Sequence, residues 1–209
     1  KIFIYDNCSD VNPQNAVEDF KKYFDNIFFY RHKVNIQGDP NCWFSISDQI
    51  NKGSDYLTFI SDDDYIMDNY FLEMKEYLQT KEEIVINHSS IVHSVKKNIF
   101  EVRSLPSRRL NLLNKDNNKF IGMVDSKVFS SFTINTNLAK KSYEAFSKKF
   151  QNKEYLKYRY PLCALSSFTD KYIFINSPTY VHLFENEIFW GKINYFEDFI
   201  INRIEMFND

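Results

Sequence analysis

Residues 56–67 read Tyr-Leu-Thr-Phe-Ile-Ser-Asp-Asp-Asp-Tyr-Ile-Met, a β-prone apolar run that ends on three consecutive carboxylates. Aromatic and β-branched residues from Tyr56 to Ile60 predict a strand. Asp62, Asp63 and Asp64 repel one another, so the run gains nothing unless a cation, a cationic side chain or hydrogen-bond donors meet it.

Working outward, the same alternation of strand and helix recurs. Lys1 to Tyr5 predicts a strand, closed by the turn and cap residues Asp6-Asn7-Cys8-Ser9-Asp10. From Gln14 to Phe24 the residues Ala16, Val17, Phe20, Tyr23 and Phe24 recur at helical spacing and predict one apolar face. Ile27 to Tyr30 predicts a second strand, Asn35 to Asn41 a loop, and Cys42 to Asn51 a helix stopped by Gly53. Strand, helix, strand, helix, strand is the order of a mainly parallel sheet with crossover helices. Ligands of such sheets bind beyond the carboxyl ends of the strands, where both Asp6 and Asp62 to Asp64 are expected, on one rim.

Downstream, a helix is expected from Asn69 to Gln79, and strands at Ile84 to Asn87, Ile91 to Val95 and Ile99 to Arg103. Leu105 to Lys119, with Arg108 and Arg109, reads as a basic loop. Helical spacing returns over Leu138 to Phe150, Glu154 to Phe168 and Phe189 to Phe207, and strands are expected on either side of Pro178, at Tyr172 to Asn176 and Thr179 to Leu183. The chain divides into 1–95, where strand and helix alternate, and 96–209, which ends in C-terminal helices, both parts of one domain.

The 209 residues suffice for one buried core, and a net charge of −2 supplies no field for nucleic acid. Cys8, Cys42 and Cys163 lie far apart without metal-ligand spacing and read as reduced thiols. No apolar run approaches the ~20 residues of a membrane span. The expectation is a cytoplasmic protein, with peripheral association at the inner face of a membrane allowed. Because the chain opens inside a strand and without Met, it is expected to be cropped.

Carboxylates one residue apart at a strand end can share a divalent cation and leave positions for water and phosphate oxygens, as Mg²⁺ and Mn²⁺ prefer. Several segments then resemble the family 2 glycosyltransferases of GT-A fold. Ile4-Tyr5-Asp6-Asn7-Cys8-Ser9-Asp10 is similar to their second-strand signature, Asn35-Ile36-Gln37-Gly38 to their Asn-x-Gly loop, and Phe59-Ile60-Ser61-Asp62-Asp63-Asp64-Tyr65 to their D-x-D segment. Phe120-Ile121-Gly122-Met123 resembles an acceptor-side strand, and His182-Leu183-Phe184-Glu185-Asn186 a late histidine segment. The family's opening strand with its Pro-x-Tyr-Asn turn is absent, and Asp68 stands where a Pro is usual.

The resemblance implies a GT-A-like, Rossmann-like α/β fold and an inverting transfer of sugar from a nucleotide-diphosphate donor to a saccharide or lipid-linked saccharide hydroxyl, with Mn²⁺ or Mg²⁺. Bacterial O-antigen, lipopolysaccharide or capsule synthesis is the implied setting. It assigns Asp6 to the nucleobase, Arg31 and Asp63 to further nucleotide contacts, Asp62 to ribose or metal-bound phosphate, Asp64 to the metal, and His182 to metal or diphosphate. The catalytic base falls to Glu154, with Asp125 second, and Trp190 is the candidate for stacking on a sugar.

Each residue also has a plainer use. An Asp run before a helix can simply cap it. Asp6 can hold its own turn, His182 can be a satisfied structural histidine, Trp190 can be helix packing, and Glu154 can be a first-turn carboxylate. A phospho-Asp receiver-like fold fits poorly, because its nucleophile ends the first strand and a later Lys is required. A non-catalytic nucleotide-sugar or glycan-binding module of the same fold stays open.

Overall fold

The computed structural model describes residues 1–36, 38–80, 82–94, 98–103, 132–150, 169 and 171–184. The chain forms two compact units, Lys1–Asp48 and Gln49–Asp209.

In the first unit, β1 (Ile2–Asp6), α1 (Gln14–Lys21), β2 (Ile27–Arg31) and α2 (Gly38–Gln49) follow in order, α2 running one residue past the unit's end. β1 and β2 pair parallel from Ile2↔Ile27 to Asp6↔Arg31. Directly opposed Phe3 and Phe28 stack with ring centroids 4.8 Å apart. Ahead of α1 the Asn12 side chain accepts from the Gln14 N–H at 3.0 Å, an Asx turn that leads into the helix. Of the expected apolar face of this segment only Val17 is buried; Phe20, Tyr23 and Phe24 are exposed. The reason is width: a two-stranded sheet offers a short helix room for about one turn of contact.

α2 buries Ile46 and Cys42 and is also held by aromatic and polar contacts. Phe44 lies 4.8 Å from both Tyr30 and His32, and Asn41 donates to the Tyr5 carbonyl at 3.1 Å while its Oδ1 meets His32 Nε2 at 3.0 Å.

The second unit contains β3 (Tyr56–Thr58), β4 (Tyr65–Ile66), α3 (Tyr70–Thr80), β5 (Val85–Ser94), β6 (Ile99–Arg103), β7 (Phe132–Asn135), α4 (Thr136–Phe150) and β8 (Tyr172–Phe184). The strands make a six-stranded sheet in the order β3-β7-β5-β8-β4, with β6 also on β5. β5–β8 is its one parallel pairing among the described residues; β3–β7, β5–β7, β5–β6 and β4–β8 are antiparallel. The sheet is therefore mixed, which corrects the mainly parallel sheet expected from the sequence. β3 and β5 do run the same way, as a crossover helix requires, since both oppose β7. What alternation could not show is that β7, distant in sequence, inserts between them.

β5 is a single strand where two were expected. Asn87, His88, Ser89 and Ser90 interrupt its apolar pattern yet are all buried. β8 likewise runs through Pro178, which lacks an N–H, and the register shifts between His88 and Ser90 absorb the defect as a bulge. There the Ser89 hydroxyl donates to the Ile175 carbonyl at 2.5 Å, standing in for a lost ladder bond. Tyr70, Met74, Ile84, Ile86, Ile175 and Tyr180 form the core between α3 and the sheet. Among the described residues no helix is long and apolar enough to cross a membrane.

Candidate active site

The acidic run sits in the turn between β3 and β4. The Asp64 N–H donates to the Ser61 carbonyl at 3.2 Å, and the Ser61 hydroxyl donates to Asp63. Asp62 and Asp63 are exposed. Asp64 is carried inward by β4, which pairs antiparallel with β8 at Tyr65↔Val181 and Ile66↔Tyr180. One step outward along that ladder, Asp64 comes opposite His182. The contact is made: His182 Nδ1 lies 2.8 Å from Asp64 Oδ1. An ionised carboxylate only accepts, so Nδ1 carries the hydrogen and Nε2 is left for another partner.

The Asp64 side chain has no exposed surface and that of His182 is 22% exposed. Asp64 Oδ2 is buried without a hydrogen-bond partner among the described residues. An acceptor in that state costs about 1–3 kcal/mol, more when charged, and a bound cation or donor would relieve it. Asp64 Oδ2 and the nearby Asp62 are hard oxygen donors of the kind Mg²⁺ and Mn²⁺ take. Among the described residues no three His, Cys, Asp or Glu side chains group closely enough to hold an ion alone. Such an ion would complete its shell from water or ligand oxygens, which Mg²⁺ commonly does.

Beneath this turn lie polar residues that sequence reasoning missed. Thr58, at the end of β3, meets the Thr133 hydroxyl at 2.9 Å. His88 Nδ1 meets the Thr179 hydroxyl at 3.0 Å, and its ring stacks on Tyr70 at 4.2 Å with a 5° interplanar angle. Burial pushes the His88 imidazole down to about 3, so it is neutral at ordinary pH. Burial likewise raises the Tyr70 phenol. The signal in the sequence was the polar run Asn87 to Ser90 within an otherwise apolar strand.

In the first unit, register places Arg31 beside Asp6. Arg31 Nη1 donates to Asp6 Oδ2 at 2.6 Å, and its Nη2 to the Ser9 carbonyl at 2.7 Å. Asp6 Oδ1 accepts from the Ser9 N–H at 3.1 Å and from the Ser9 hydroxyl. The Asp6 side chain is 4% exposed. Asn7 ties this turn to the one after β2, accepting from the Ile36 N–H at 2.8 Å and donating to Asn35 at 3.1 Å. The turn after β1 is thus a cross-linked unit in which Arg31 orients Asp6. Glu154, Asp125 and Trp190 lie outside the described residues, as do Arg108, Arg109 and Gly122.

The chain is similar in fold to S. aureus TarS. All of it superposes on a crystal structure of TarS 1-349 with a TM-score of 0.62 at 12% identity, covering 56% of that chain. Against TarS 1-349 in complex with UDP the TM-score is 0.60 at 13% identity, again with 56% of that chain covered. A longer TarS structure gives 0.53 at 13% identity over 34% of its length. The chain therefore spans little more than half of the TarS 1-349 structures. No family model and no curated sequence matches it. At these identities the likeness is one of fold, a mixed α/β fold.

Proposed function

We propose that the chain is an inverting, metal-dependent glycosyltransferase that moves a sugar from a uridine-diphosphate or related donor to a saccharide hydroxyl. The observation that carries this is Asp64, whose buried Oδ2, unpartnered among the described residues, lies in the acidic turn opposite His182. Support comes from a fold shared with a glycosyltransferase crystallised with UDP.

Asp62 and Asp64 Oδ2 would hold Mn²⁺ or Mg²⁺, whose charge would offset that of the departing diphosphate, while His182, bonded to Asp64 through Nδ1, would present Nε2 to the diphosphate. Asp63 would be a further nucleotide contact. Asp6, fixed by Arg31 and Ser9, accepts from a nucleobase N–H, since a carboxylate oxygen can take more than one donor. An acceptor hydroxyl is a poor nucleophile at neutral pH, so inversion requires a carboxylate base on the face opposite the diphosphate. Glu154 takes that role, with Asp125 as the second candidate, and Trp190 stacks on a sugar ring. Bacterial surface polysaccharide synthesis, at the inner face of the membrane, is the setting.

The test is a thermal-shift panel of nucleotide diphosphates and nucleotide sugars with and without Mn²⁺. A donor at a hundred times its Kd stabilises the folded state by about 2.7 kcal/mol. Stabilisation by a uridine nucleotide that needs Mn²⁺, followed by sugar transfer that Glu154→Gln slows by ~10²–10⁴-fold, is the expected result. Metal-dependent binding with no turnover on any acceptor would make the protein a binding module. No response to any nucleotide would end the reading.

A further inference from the structure

The segments that present Asp64 and His182 meet at one buried polar network. Thr58, the last residue of β3, leads into the acidic turn and meets the Thr133 hydroxyl at 2.9 Å. Thr133 hydrogen-bonds the Tyr70 phenol and lies 3.5 Å from His88 Nε2. On its other side His88 reaches the Thr179 hydroxyl at 3.0 Å, and that hydroxyl also donates to the Ser89 carbonyl at 3.5 Å. The Thr179 carbonyl accepts from the Met67 N–H at 2.9 Å, holding the chain just after β4, and Tyr70 N–H donates to the Met67 carbonyl at 3.0 Å. Three residues beyond Thr179 on β8 stands His182.

Thr133, Thr179 and Tyr70 are each 0% exposed, and His88 is 6% exposed. Apolar side chains of the same volume would hold the sheet to α3 at least as well, because buried polar groups add little net stability. What a satisfied polar network adds is one fixed geometry. Here the fixed parts are the exit from β3, the end of β4, the start of α3 and the stretch of β8 before His182.

We propose that His88 is a positioning residue: through Thr179 and the stacked Tyr70 it sets the separation of Asp64 from His182, touching neither. Its consequence for metal affinity rests on the reading of that pair as a metal site. Its consequence for the pair's geometry does not.

The full chain is compared with His88→Phe, which keeps a ring on Tyr70 but removes both nitrogens, with Thr179→Val, and with Thr179→Ser, which keeps the hydroxyl. Crystal structures give the Asp64–His182 distance, and titration followed by the paramagnetic resonance of free Mn²⁺ gives the affinity. Expected is a pair opened beyond about 3.5 Å in His88→Phe and Thr179→Val. Mn²⁺ affinity should fall ~10-fold or more in both, as when a ligand's supporting partner is lost, and return in Thr179→Ser. A pair still at its wild-type distance in both variants overturns the proposal. If the wild type binds no Mn²⁺, the metal reading fails while the distance still judges His88. Should His88→Phe not fold, Tyr70→Phe, which removes only the phenol, is read in the same way.

Discussion

Asp64 is the residue on which the functional reading turns, and its two oxygens differ. Oδ1 is engaged by His182 at 2.8 Å; Oδ2 is buried and unpartnered among the described residues. Asp64→Asn keeps the shape and an acceptor for His182 but removes the charge. Neutralising a buried carboxylate with an unmet oxygen relieves a desolvation cost, so the metal-free variant should unfold at the same urea midpoint as the wild type or a higher one. Mn²⁺-dependent nucleotide binding should be lost. A variant that is markedly less stable, with binding intact, would make Asp64 a strut for β8 rather than a ligand. In the sequence, the acidic run was legible from its charge pattern alone. His182 was legible only through resemblance, because the pairing of β4 with β8 spans more than a hundred residues and leaves no local periodicity.

At the scale of elements, local chemistry predicted what local chemistry decides. α4 begins directly after β7, and the reason is Asn135, whose Oδ1 accepts from the Asn137 N–H at 3.0 Å and the Leu138 N–H at 3.2 Å. Two otherwise free donors of the first turn are met by one side chain. Asn135→Ala should therefore cost about 1 kcal/mol, within the range for lost caps, read as a shift in urea midpoint at unchanged slope. A loss below a few tenths would mean that β7 pairing, not the cap, holds the helix start. The strands misread from the sequence fail for a shared reason. β5 and β8 were each expected as two pieces because polar residues at Asn87 to Ser90 and Pro178 break their patterns, and these breaks face each other at the bulge. Two local defects compensate across the ladder, which neither segment reveals by itself. The exposed Phe20, Tyr23 and Phe24 after a correctly expected helix make the same point, since periodicity gives a face but not what covers it.

For the molecule as a whole, the buried network ties folding to pH. His88 has an ordinary value of 6.5 unfolded and about 3 in the native state, where burial disfavours its charge. Between those values the unfolded chain binds a proton that the folded chain refuses. Its contribution is therefore fully present above about pH 6.5 and is lost as pH falls toward 3, by up to about 1.4 kcal/mol for each pH unit. His88→Phe cannot titrate there, so its stability should decline less than the wild type's between pH 6 and pH 4. Urea unfolding at pH 7, 6, 5 and 4 gives both curves; subtracting them cancels the groups that the substitution leaves in place, and repeating the comparison in an Asp64→Asn background removes the Asp64–His182 ion pair, whose spacing His88→Phe is expected to change. Whatever the offset between the two proteins at pH 7, the gap must narrow or reverse with acid. Parallel curves would mean that His88 takes up its proton in the folded state, and the interior beneath Asp64 and His182 would then be wet rather than a dry, fixed support.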